Sequence, residues 1–81
     1  MFAKLFTTSK GQFLIQKTES EEPFTFDLVF RYDVESSFEG AEAIMTTTRS
    51  YRGTDKGEEA RDKAFDDFDA EAAEALAQKG I

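Results

Sequence analysis

The 81-residue chain weighs 9.1 kDa, which is one domain, because a second hydrophobic core would need roughly twice this length. Forty per cent of the residues are hydrophobic, with nine Phe and one Pro, more apolar material than disordered chains carry, so the sequence is expected to fold. The absence of Cys and His excludes disulfides, thiolate metal sites, Cys nucleophiles and the commonest general base, and no apolar run approaches the length of a membrane span. The expectation is a non-enzymatic, cytoplasmic protein with no membrane association.

The net charge of −7 is unevenly distributed. Residues 1–18 hold Lys4, Lys10 and Lys17 and no acid, a charge of +3, whereas residues 19–81 hold all 17 acids against seven basic residues, a charge of −10. Phosphate backbones and anionic membranes repel such a chain, so no direct nucleic-acid contact is expected. A basic protein surface is its natural partner.

A first strand is expected over about 2–8 and a second over about 12–17, separated by the turn residues Ser9, Lys10 and Gly11. Residues 18–23 contain no apolar side chain and include Pro23, which predicts an exposed acidic connection around Glu19, Glu21 and Glu22. Phe24, Phe26, Leu28, Phe30, Tyr32 and Val34 then alternate with Thr25, Asp27, Val29, Arg31 and Asp33. That period of two predicts a third strand over 24–34 with one packed and one solvated face, as in an antiparallel sheet. Ser36, Ser37 and Gly40 interrupt it, and the Thr46-Thr47-Thr48 run marks a fourth strand over about 41–51. Short connections favour a meander.

The period then changes. Asp55 and Glu58 suit a capping box, and a helix is expected from about 56 to 79. Its buried face is read as Ala60, Ala64, Phe65, Phe68, Ala72, Ala75 and Leu76 with the stem of Arg61, and Gly80 and Ile81 suit a C-terminal cap. The fold class is therefore α+β: an antiparallel sheet of about four strands with one C-terminal helix packed on the Phe24/Phe26/Leu28/Phe30/Tyr32 face. Phe2, Phe6, Phe13 and Phe38 are surplus to one helix–sheet layer and available for the uncovered side or a dimer contact.

Constellations for chemistry fail one by one. Asp67-Phe68-Asp69-Ala70-Glu71 begins like a calcium-binding loop, but the sixth position is Ala72 and the twelfth Gln78. The five Gly form no phosphate-cradling run. Arg49, Tyr51, Arg52 and Lys56 group a ring with cations, yet the overall charge opposes a nucleic-acid strand there. No catalytic, metal or cofactor residue is assigned.

The most specific feature is a row of acids. Asp55, Glu59, Asp62, Asp66 and Asp69 recur at spacings of three and four, which on one helix makes a line roughly 20 Å long at 1.5 Å per residue. Like charges so placed repel, so the row is not a product of helix optimisation. Its charge density is similar to that of a nucleic-acid strand, and Glu59, Asp62, Asp66 and Asp69 are the candidate partner-binding residues, set to meet a basic groove. In size, acidity, lack of His and Cys, and sheet-then-helix order, the chain resembles small accessory proteins of phages and mobile elements. That resemblance implies an inhibitor or adaptor of a nucleic-acid-binding protein and carries over no individual residue. The alternative expectation is a homo-oligomeric structural or assembly protein, a homodimer through an open strand edge, whose acidity serves solubility.

Overall fold

The computed structural model describes residues 2–34 and 43–79. Four strands, β1 (Ala3–Thr8), β2 (Gly11–Ser20), β3 (Thr25–Val34) and β4 (Ala43–Arg52), are followed by two helices, α1 (Asp55–Asp67) and α2 (Ala70–Lys79). The sheet is an antiparallel meander in the order β1-β2-β3-β4. The α+β class and the sheet stand as expected, and the single helix becomes two. The interruption expected at Ser36, Ser37 and Gly40, the Gly80/Ile81 cap and Phe38 lie outside the described residues.

Pairing sets which side chains share a face. Phe13 lies opposite Tyr32, Ile15 opposite Phe30 and Phe26 opposite Tyr51, and directly paired residues of an antiparallel sheet point the same way. Phe13, Ile15, Leu28, Phe30 and Tyr32 are buried and form the core with Phe65 and Ala73 of the helices. Rings pack closely within it: Phe13 stacks on Tyr32 at 5.3 Å and on Phe68 at 5.5 Å, and Phe68 meets Phe6 at 5.8 Å and Phe30 at 5.6 Å. Of the surplus aromatics, Phe13 is thus at the centre of the core and Phe6 packs against it, while Phe2 is 79% exposed. Phe24 also departs from the expected packed face. It sits in the β2–β3 turn, 46% exposed, with its ring edge-on to Phe26 at 5.0 Å.

The acidic connection is shorter than residues 18–23. Thr18, Glu19 and Ser20 continue β2 opposite Asp27, Phe26 and Thr25, which leaves a turn at 21–24. The extension is held by Asp27, on the face away from the helices. Asp27 is only 2% exposed, and its carboxylate accepts hydrogen bonds from the hydroxyls of Ser20 and, at 2.8 Å, Thr25, and from Ser50 of β4. A residue that alternation assigns to solvent is therefore buried, because its own strand and both neighbouring strands supply hydroxyl donors.

At the β1–β2 turn, Gly11 has φ +122°, and a Cβ there would come 2.8 Å from the Asp33 carboxylate. Only glycine adopts that conformation without strain. The same turn holds α2: Ser9 donates through its N–H and hydroxyl to the Glu74 carboxylate at 3.1–3.3 Å, and Gln78 Nε2 donates to Ser9 Oγ at 2.8 Å. No helix among the described residues is long and apolar enough to cross a membrane.

Candidate protein-docking surface

The surface that carries the predicted acids starts one residue earlier than the capping box proposed for Asp55. Thr54 is the N-cap, extended at φ −121° and ψ 167°, and its side chain accepts from Gly57 N at 3.1 Å. Asp55 and Glu58 remain in the first turn, where the helix dipole favours acids. Gly57 is buried against the end of β4, and a Cβ on it would lie 1.8 Å from the Arg52 carbonyl oxygen. This contact brings α1 onto the sheet at the end where Ser20, Thr25 and Arg52 are paired, which is also the end of the turn bearing Glu21 and Glu22.

The helix stops at Asp67. Phe68 leaves the helical conformation at φ −76° and ψ 116° and turns its ring into the core. Asp69 then caps α2, accepting Ala72 N at 2.9 Å on its carboxylate and Ala73 N at 3.0 Å on its carbonyl. The last turn of α1 contains no basic residue, and Lys4 of β1 takes that part: its ammonium donates to the carbonyls of Phe65 (2.6 Å), Asp66 (3.2 Å) and Phe68 (3.2 Å) and lies 4.6 Å from the Phe65 ring. A cation at the negative end of a helix is favourable, and here it also satisfies carbonyls that the break leaves open. The interruption resets the helical phase. The buried positions are Gly57, Arg61 and Phe65 in α1 and Ala73 in α2, with Ala64, Phe68 and Leu76 half-buried, whereas Ala60 and Ala75, expected on the packed face of one long helix, are exposed.

The predicted acid row is divided accordingly. Glu59, Asp62 and Asp66 lie along one flank of α1 at spacings of three and four, and Asp69 sits in the corner as the cap of α2. Glu59 and Asp66 are exposed, and neither side chain has an ion pair among the described residues. Asp62 is engaged, 2.8 Å from Arg61 Nε and 3.6 Å from Lys17 Nζ. Partial burial pushes its pKa up, but the hydrogen bond from Arg61 and the charges of Arg61 and Lys17 outweigh this and hold it below its ordinary value. Asp67, outside the row, pairs with Lys63 at 2.6 Å.

Arg61 organises this flank from beneath. It is buried, its guanidinium lies 5.1 Å from the Phe26 ring, and Nη1 donates to the Thr18 carbonyl at 2.9 Å. A cavity of about 270 Å³ opens beside it, lined by Phe2, Lys17, Thr18, Glu19 and Arg61. Phe2 is fixed by its backbone, its carbonyl accepting Lys17 N at 2.8 Å, and the Lys17 ammonium lies 5.9 Å from its ring. An exposed aromatic therefore stands next to the Lys17–Asp62 pair. Phe2 is legible in the sequence as a surplus aromatic, but its place beside Lys17 depends on the pairing of β1 with β2.

Comparison of the chain with protein-family models, curated proteins and solved structures returns no match. Within the described residues no group of three or more acids converges as a metal site, and Arg49, of the basic group near the start of α1, is placed 5.5 Å over the Phe30 ring. Residues 55–79 hold nine acids and four basic residues, a charge of −5, and on the exposed flank of α1 Glu59 and Asp66 carry part of it without an ion pair among the described residues.

Proposed function

We propose that this chain is a non-enzymatic, acidic protein-binding module that docks the Glu59/Asp62/Asp66 flank of α1, with Asp69 at its end, onto a basic surface of a partner protein. In the resemblance to small phage and mobile-element proteins this makes it an inhibitor or adaptor of a nucleic-acid-binding partner. The reading is carried by Glu59 and Asp66, exposed on one helix flank without an ion pair among the described residues. Unneutralised rim carboxylates raise the on-rate toward a cationic partner and make binding depend on salt. Phe2, whose ring lies near Lys17, the cation paired with Asp62, adds an exposed aromatic of the kind that anchors interfaces.

The test is affinity capture from a lysate of the source organism at low and moderate salt, comparing the native chain with Glu59→Gln/Asp66→Asn. These two changes remove charge without removing a structural bond, unlike Asp62→Asn, which breaks the Arg61 pair, or Asp69→Asn, which alters the cap. A basic partner captured by the native chain, weakened by salt and lost from the double variant, is the expected result. A partner retained by the variant with the same salt dependence refutes acidic docking.

A further inference from the structure

The break at Phe68 sends the two helices to different parts of the sheet. α1 lies over β2, β3 and β4, whereas α2 packs on β1 and is bonded through Glu74 and Gln78 to Ser9 of the β1–β2 turn. Beside α2 the β4 side of the helical layer is left open, and a cavity of about 250 Å³ lies there between Leu76 of α2 and β4. Its floor is aromatic: Phe13, Phe30 and Tyr32, buried members of the core, turn ring surface toward it.

The rim on β4 is polar. Thr47 lies opposite Phe30 and Arg49 opposite Leu28, so both side chains are on the helix side of the sheet, and both residues are exposed. Neither side chain has a hydrogen bond or an ion pair among the described residues, although the chain holds 17 acids. The Arg49 guanidinium instead lies 5.5 Å from the centre of the Phe30 ring, at the edge of the floor. A guanidinium resting on a ring keeps its in-plane N–H groups free for a carboxylate.

We propose that this cleft binds a small organic acid with an apolar body and a single carboxylate. The body lies on the Phe13, Phe30 and Tyr32 rings against Leu76, the carboxylate pairs with Arg49, and Thr47 donates its hydroxyl to the same group. An apolar cleft with a few converging polar groups is the usual makeup of a small-ligand site. Size limits the body: an apolar cavity of about 150 Å³ is filled by benzene, so this one takes about ten non-hydrogen atoms. Charge limits the head group. One arginine neutralises one negative charge, and a dianion such as a phosphate monoester would bring an uncompensated charge to a chain of −7. β4 itself holds no acid to repel the carboxylate. The site uses none of Glu59, Asp62, Asp66 and Asp69, so it is independent of whether α1 docks a partner.

The experiment is a titration of the full chain with octanoate, an acid of matching size, followed residue by residue in amide NMR spectra. Saturable shifts are expected at Thr47, Arg49 and Leu76, with a dissociation constant on the order of 1 mM. Octanamide has the same shape without the charge and should bind roughly tenfold more weakly. Arg49→Gln should bring octanoate down to the affinity of octanamide and leave octanamide itself unchanged. Thr47→Trp fills the cleft from an exposed position and should abolish binding of both, while the amide spectrum of each variant shows that it is folded. Acetate, a carboxylate without the body, should give no saturable shift. Absence of saturable octanoate binding in the low millimolar range, equal affinity for acid and amide, or octanoate affinity untouched by Arg49→Gln overturns the proposal. So do shifts centred on Leu5 and Ile44, the exposed apolar residues of the opposite sheet face.

Discussion

The two faces of β3 are buried by different means. On the helix side Phe26, Leu28, Phe30 and Tyr32 are shielded by packing against β2, β4 and the helices, while on the other side Asp27 is buried with no helix over it. Its cover is a set of hydroxyls, from Ser20, Thr25 and Ser50, that converge on one carboxylate. The apolar face draws its stability from area and shape, and the polar face from complete hydrogen bonding. The first tolerates exchanges of similar volume. The second depends on its acceptor, whose removal takes the partner from three hydroxyls.

Mutation separates the two. Phe13→Ala removes a ring in contact with Tyr32, Phe30 and Phe68, and should cost about 3–5 kcal/mol in urea unfolding, a large part of the stability of so small a domain. Asp27→Ala strands three hydroxyl donors at a buried site and should cost about 1–3 kcal/mol. A loss below a few tenths of a kcal/mol would show that water serves the hydroxyls as well as the carboxylate does. Lys4→Met keeps the stem over Phe65 but removes the cation from three carbonyls, with an expected loss of about 1 kcal/mol, read as a drop in melting temperature that narrows as salt rises.

The smallest effect is a pH dependence. At Asp27 burial pushes the pKa up, but the bonds from Ser20, Thr25 and Ser50 and the charge of Arg61 hold it below the ordinary 3.8, and Asp62 is lowered by Arg61 and Lys17. A carboxylate whose folded pKa lies below its unfolded value stabilises the fold above the unfolded value, and that contribution is lost as pH falls through the folded one. Acid titration of the melting temperature should therefore show stability falling below about pH 4, with a shallower fall in Asp27→Asn than in the native chain. Equal slopes would remove Asp27 as a source of the acid sensitivity.

Much of this was legible in advance. The alternation from Phe26 to Tyr32 announces the packed face of β3, and the i, i+4 relation of Arg61 to Phe65 announces that of α1. The break at Phe68 is not legible in the sequence, although Asp69 is a good N-cap and a poor helix interior residue, because the apolar spacing of α1 and the Ala-rich segment after it satisfy one helical periodicity without a break. In the candidate docking surface, the exposure of Glu59 and Asp66 followed from spacing. The engagement of Asp62 did not, since Lys17 reaches it from a strand distant in sequence.

By itself the sequence determined the α+β class, the antiparallel order of short-linked strands and the acidity of the helical layer, because side-chain period, turn residues and charge are local properties. The tertiary structure alone decided where the helix divides, which acid is buried and which edge stays open. Each depends on groups far apart in the chain: Lys4 on the carbonyls of Phe65 and Phe68, Ser20 and Ser50 on Asp27, and β1 rather than β4 tied to α2. Such contacts form only when strands pair, and no periodicity in a single segment encodes them.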